Sequence, residues 1–165
     1  MEDSKIYHDL SVRNAGGNII QFLYGEDGMD YSKIENQQVE YFNSNMAKVE
    51  RSDIDLAMIY DSFTITVLAT LENLGFCEPG EGGHFVSDGG ISLEGALPVN
   101  PDGGGLSSNH PGMRGIFLVI EAVKQLRQEC GARQVGDPEL ALAHGTGGTI
   151  GDKHSGATLI LGVDR

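Results

Sequence analysis

Tyr60, His110 and His144 are the side chains of this sequence best placed to move a proton. Each stands at the expected end of a regular element and beside glycines. Tyr60 lies in Ile59-Tyr60-Asp61-Ser62-Phe63. His110 follows Asp102-Gly103-Gly104-Gly105-Leu106-Ser107-Ser108-Asn109 and precedes Pro111-Gly112, and His144 precedes Gly145-Thr146-Gly147-Gly148. An imidazole titrates near neutral pH and can serve as general base or acid. A phenol does so only where its pKa is lowered. Backbone N–H groups at helix starts and glycine turns favour developing negative charge. A base set beside such donors is what enolate- or oxyanion-forming carbon–carbon chemistry requires. Taken singly, a histidine next to glycine is more often a plain turn residue, so the reading depends on the three meeting in one pocket.

The elements that must position them follow from local pattern. Residues 52–59 alternate apolar with small or polar positions and predict a strand running into Tyr60. Asp61 is placed as the N-cap of a helix bearing Phe63, Val67, Leu71 and Leu74, with Gly75 as its C′ residue. The acidic, glycine-rich stretch 78–95 predicts a long loop. Gly103, Gly104 and Gly105 let the backbone approach a ligand closely. With Asn109, Gly147 and Gly148 they are the candidate substrate-binding positions. A helix is predicted over 113–130, with Pro111 suited to its start and Gly131 to its end. Ile116, Leu118, Val119, Ile120, Val123 and Leu126 form its apolar face. Residues 139–144 predict a strand ending in a glycine turn over 145–148. Residues 157–162 predict its hairpin-like partner, with His144 held at the mouth.

The chain changes character near residues 43–50. Before that point, residues 18–24 predict one short strand, and a polar, Asn- and Gln-containing stretch follows. One strand cannot form a core of its own, so this segment must pack on something else or stay mobile. The expected organisation is therefore a first segment, 1–46, and a domain, 49–165.

Composition sets outer bounds. The 165 residues suffice for one domain with a real core. A formal charge of −13, with only 11 scattered Lys and Arg, disfavours nucleic acid and anionic lipid. No apolar run is long enough to span a membrane, and the acidic start lacks a signal-like apolar stretch, so the expected compartment is the cytoplasm. Cys77 and Cys130 have no ligand-like spacing, which predicts two reduced, partly buried thiols and no metal site. His8, His84 and His154 read as exposed loop residues. The run 147–154 fails as a phosphate loop, since Asp152 interrupts the Gly-Lys pair and His154 replaces its hydroxyl residue.

Two resemblances add to this reading. Residues 102–115 are similar to the Gly-Gly … Gly-His-Pro-x-Gly motif of the thiolase family. Ile59 to Phe63 resembles its Asn-Glu-Ala-Phe motif, and His144 to Gly148 its Cys-x-Gly-Gly-Gly loop, in family order and nearest the lipid-transfer-protein-like (sterol carrier) branch. The implied fold class is α/β, a thiolase-like C-terminal repeat whose mixed sheet carries helices in layers, preceded by a poorly structured segment. The implied function is the C-terminal half of an acyl-CoA acyltransferase of acetyl-CoA acetyltransferase or lipid-transfer type. His110 would be the base that activates the nucleophilic cysteine, Tyr60 would stand at the oxyanion-hole asparagine, and His144 at the second catalytic cysteine. The nucleophile belongs to the family's N-terminal half, so this half is expected to be inactive alone. The family implies no bound cofactor, a coenzyme A thioester as substrate, and a homodimer or an N-terminal half as partner. Tyrosine at position 60 also resembles acyl-CoA retro-aldolases that work with an OB-fold/zinc-ribbon partner. A non-catalytic acyl-CoA or lipid-binding module is the other alternative. Residues 12–30 resemble the largest subunit of eukaryotic-type and large-DNA-virus RNA polymerases, after its bridge helix, whose last turn would be residues 1–9. That pairing implies a chimera.

Overall fold

The computed structural model describes residues 7–13, 19–25, 49–109, 112–150 and 153–163, with side chains described over 49–109, 112–147 and 156–163. Five strands form one mixed sheet in the order β1-β2-β5-β4-β3. They are β1 Tyr7–Arg13, β2 Ile19–Gly25, β3 Leu56–Ile59, β4 Leu140–Ile150 and β5 Lys153–Gly162. The helices are α1 Thr64–Asn73, α2 Gly82–Ser87 and α3 Arg114–Leu126. β3 runs parallel to β4, and the other pairings are antiparallel.

Both faces of β3 and of the adjoining parts of β4 and β5 are covered, which is why β3 reads as a continuous buried run. Strand alternation sorts the core in two. Ala57, Ile59, Leu142 and Ile160 meet Leu71 and Leu74 at the end of α1. Leu56, Met58, Ala141, Ala143, Leu159 and Leu161 meet Leu118, Ala122 and Leu126 of α3 on the opposite face. The result is the expected α/β layering.

Helix α1 ends as the sequence predicts. Gly75 takes φ +76°, its N–H bonds Glu72 O at 2.9 Å, and Phe76 N–H bonds Leu71 O at 3.0 Å. Those are the two bonds of a Schellman stop. Asp61, however, does not cap this helix, whose N-cap is Phe63 without a side-chain cap. Helix α3 is shorter than predicted, because Gln128, at φ +61°, already adopts the left-handed conformation three residues before Gly131. Gln128 N–H bonds Gln125 O at 3.0 Å, and Glu129 N–H bonds Lys124 O at 2.9 Å. Within the stretch predicted as loop, α2 forms because Phe85 and Val86 pack on the α1-side cluster while Gly82 N–H bonds Glu72 Oε1 at 3.0 Å.

Three further expectations change. The glycines 145–148 do not turn: β4 continues through them to Ile150, paired with β5 as Gly145↔Ala157, Thr146↔Gly156 and Gly147↔Ser155, with a bulge between Gly147 and Thr149. Small residues on both strands let the ribbon run on. The apolar face of α3 is split. Leu118 and Leu126 are buried, whereas Ile116 and Ile120 face outward with Met113 and Phe117. In the first segment, β2 pairs with β5, Gln21 with Ile160 and Phe22 with Leu159, which is packing on something else as one of the two expected outcomes. His8 and Asp9 lie in strand β1 rather than in a helical turn, as the alternation of Leu10 and Val12 with Asp9, Ser11 and Arg13 favours. The polar stretch 35–45 lies outside the described residues.

Candidate active site

Strand β3 delivers Tyr60 to one end of the sheet, and β4 delivers His144 to the same end. Ile59 pairs with His144, and Tyr60 N–H donates to His144 O at 2.9 Å. The two side chains then part. Tyr60 is half-buried against the α3-side cluster. His144 follows Ala143, which faces α3, and is paired with Ile59 and Thr158, so alternation turns its ring to the α1 side. There it is 4% exposed, with Nδ1 2.8 Å from the Thr158 hydroxyl. Burial lowers its pKa from 6.5 to about 4, so the ring is uncharged at neutral pH. The backbones meet and the rings do not. The expected pocket of three converging side chains is therefore not formed between Tyr60 and His144, because adjacent strand positions alternate faces.

The glycine loop and the residues just before it bind the two neighbours of Tyr60 in sequence, Ile59 and Asp61. Residues 98–100 run along the free edge of β3 through a parallel bridge, Ala57↔Val99. Asn100, at φ +49°, clasps the last strand residue: Ile59 N–H donates to its Oδ1 at 2.8 Å, and its Nδ2 donates to Ile59 O at 2.9 Å. One residue past Tyr60, the buried Asp61 carboxylate accepts Gly105 N–H at 2.7 Å on Oδ1 and Leu106 N–H at 3.0 Å on Oδ2. Gly104 sits at φ +69°, and a Cβ there would collide with Asp61 Oδ2; one at Gly105 would lie 2.9 Å from Oδ1. The glycines thus let a carboxylate lie against the loop backbone. Asp102 accepts Gly104 N–H at 2.9 Å and pairs with the buried Arg114 guanidinium at 2.9 Å. Arg114 also lies 5.8 Å above the Phe117 ring, within cation–π range.

Loop 102–109 is consequently fastened over its first half, residues 102–106, to Asp61 and to the first residue of α3. Gly103 and the exposed Asn109 belong to it, and His110 and Pro111 come next in sequence but lie outside the described residues. Gly147 is exposed on β4, and Gly148 continues that strand. The sequence reading missed Asp61, Asn100, Asp102, Arg114 and Thr158 as members of this end of the molecule. Asp61 carried a signal, since an acid next to the tyrosine is compatible with either a cap or a clamp. The others act through contacts distant in sequence.

Neither thiol shares this environment. Cys130 is buried, its Sγ 3.4 Å from Glu121 Oε1, and burial and that carboxylate raise its pKa. Burial, with Glu72, Glu81 and Glu78 nearby, raises that of Cys77, which packs on the α1-side cluster. Such thiols are poor nucleophiles. His84 is exposed, as expected, although on α2, and the His8 and His154 side chains lie outside those described. Among the described residues no three His, Cys, Asp or Glu side chains converge as a metal site. None of the described helices is long and apolar enough to cross a membrane.

Comparison with known proteins places this geometry. The family model described as thiolase C-terminal domain-like matches residues 42–163. An acetyl-CoA acetyltransferase of Methanothermobacter thermautotrophicus is 46% identical over 151 residues, covering 90% of this chain and 38% of that protein. An alignment of that length exceeds residues 49–165 and reaches into the first segment. Sterol carrier protein 2 of Bos taurus is 40% identical over 145 residues, 86% of this chain and 25% of its own. A steroid side-chain-cleaving aldolase of Thermomonospora curvata is 45% identical over 114 residues, 69% of this chain and 27% of its own. The solved structure of the Ltp2-ChsH2(DUF35) aldolase matches with a TM-score of 0.64 and 35% identity, covering 81% of this chain and 32% of that one. The chain thus spans well under half the length of these relatives.

Proposed function

Because the chain belongs to the thiolase C-terminal domain-like family, we propose that it supplies Tyr60, His110 and the clamped glycine loop to an acyl-CoA enzyme that makes or breaks a carbon–carbon bond. The observation that carries this reading is the fastening of residues 102–106 by Asp61, the residue after Tyr60, and by the Asp102–Arg114 pair. His110 follows that loop directly and acts as the base. A fixed backbone is what a base needs if it is to meet a proton at hydrogen-bond range. His144, buried and bonded to Thr158 on the other face, anchors β4 to β5 rather than touching substrate.

The acetyltransferase reading takes a 3-ketoacyl-CoA and coenzyme A as substrates and needs a thiolate nucleophile. The two cysteines here are unsuited to that role, so the nucleophile comes from the remainder of the enzyme, as an N-terminal half. The pair of aldolases among the similar proteins, together with tyrosine at position 60, favours a second reading. In it the hydroxyl proton of a β-hydroxyacyl-CoA is removed, the Cα–Cβ bond breaks, a carbonyl product leaves and the thioester enolate is protonated. Such a chain works with a second protein. Acetoacetyl-CoA thiolysis and β-hydroxyacyl-CoA cleavage, each measured with the chain alone and with the N-terminal portion of the methanogen relative added, separate the two. Turnover is expected only with both parts present and is abolished by His110→Ala. Undiminished turnover in that variant removes His110 from the mechanism.

A further inference from the structure

We infer that Arg114 and Asp61 share a bound water molecule, seated against the open face of Gly105 and joining the end of β3 to the start of α3. The Arg114 side chain is 5% exposed, and its Nη2 donates to Asp102 Oδ2 at 2.9 Å. Its Nε, by contrast, is the one buried side-chain nitrogen or oxygen among the described residues that makes no hydrogen bond. A buried donor on a charged group is costly to leave unmade, and ordered water meets such groups where no protein acceptor reaches them. The neighbouring residue has room for it. A Cβ added to Gly105 would lie 3.7 Å from Arg114 Nε and 2.9 Å from Asp61 Oδ1, so donor and carboxylate flank one face of a residue without a side chain. Unlike Gly103 and Gly104, Gly105 lies outside the left-handed region, so what glycine supplies here is space. Oδ1 already accepts Gly105 N–H at 2.7 Å, and a carboxylate oxygen has a second lone pair to offer. The two groups also select the occupant, which must accept from a guanidinium N–H and donate to a carboxylate. Water does both, whereas an anion is repelled by Asp61 and a cation by Arg114. One partner of each kind meets the minimum of about two that a buried water needs.

Through protein atoms, Asp61 and Arg114 are linked only by way of loop residues 102–106; the water ties them directly. This site is independent of the function proposed above. The test uses the full isotopically labelled chain and reads cross-relaxation between water protons and the Arg114 Nε–H in the laboratory and rotating frames. A long-held water gives a cross-peak whose sign relative to the diagonal reverses between the two frames, whereas proton exchange gives the same sign in both. The reversal is expected at the Arg114 Nε–H and at the Gly105 Hα protons, and not at the Nε–H of the exposed Arg127. In Gly105→Ala, whose methyl group fills the cradle, the Arg114 cross-peak is expected to fall at least fivefold. Absence of a sign-reversing peak at Arg114 in the parent, or one that survives undiminished in a folded Gly105→Ala, would overturn the assignment. Arg114→Lys keeps a cation for Asp102 but lacks Nε. It is expected to lose the water contact of the Gly105 Hα protons, and persistence of that contact would equally count against a shared site.

Discussion

Among the described residues, His144 is the histidine through which acidification should weaken this fold, in a window that its burial defines. An unfolded histidine takes up a proton near pH 6.5, whereas the buried ring beside Thr158 does so only at about pH 4. Between those values the unfolded chain binds more protons than the folded one, so stability falls as pH falls. Linkage gives a loss of about 1.3 kcal/mol between about pH 7.5 and pH 5.5, before most carboxylates titrate. With a urea slope of about 2 kcal/mol/M, the unfolding midpoint drops by about 0.7 M. Glu121 stays out of this window. Burial pushes its pKa up, but hydrogen bonds from Arg133, Gln125 and Cys130 outweigh that and hold it below the usual range. The stability it contributes is therefore lost only at lower pH. The assay compares urea unfolding of the parent with His144→Asn, which keeps a polar group toward Thr158 and does not titrate. The parent midpoint should fall by the stated amount more than the variant's. Parallel pH profiles for the two proteins would refute the reasoning.

Four other outcomes follow from the same geometry. Thr158→Val removes the hydroxyl beside His144 Nδ1 and should cost about 1–3 kcal/mol by urea unfolding, with Thr158→Ser recovering most of it. Leu118→Ala opens a cavity where α3 meets the sheet and should cost about 2–5 kcal/mol in the same measurement. Glu121→Ala strands the donors of Gln125, Arg133 and Cys130 and should cost about 3 kcal/mol, while Arg133→Ala, half-exposed, should cost less. Met113, Ile116, Phe117 and Ile120 form an outward apolar stripe, 87%, 52%, 41% and 47% exposed. Sedimentation of the chain alone should show self-association that Ile116→Asp with Ile120→Asp diminishes, and a clean parent monomer would contradict this.

Much of the scaffold was legible because it rests on local chemistry. The strand before Tyr60, the stop at Gly75 and the apolar repeat of α3 each carry their own signal, and motif order alone pointed to the thiolase-like architecture. The misreadings have one cause: a side chain serving a distant partner looks like a local one. Asp61 sits where an N-cap belongs, yet it bonds Gly105 and Leu106. The glycines after His144 look like a turn, yet pairing with Gly156 and Ala157 carries the strand on and leaves His144 mid-strand. Which face a ring takes depends on register, and register is a property of two strands together. The outward half of the α3 pattern was visible as apolar residues but not as surface, because periodicity reports hydrophobicity and not what covers it.

That last point bears on the site. The stripe on α3 begins at Met113, three positions after His110 in sequence. The similar proteins are much longer than this chain, and their remaining residues are the occupant we expect. The most direct measurement is a crystal structure of the chain assembled with such a partner and an acyl-CoA thioester. The account predicts the thioester carbonyl on the α3 side of the sheet, within hydrogen-bonding reach of Tyr60 and His110 and out of reach of His144. A thioester seated against His144 and Thr158, on the face that carries α1, would contradict it.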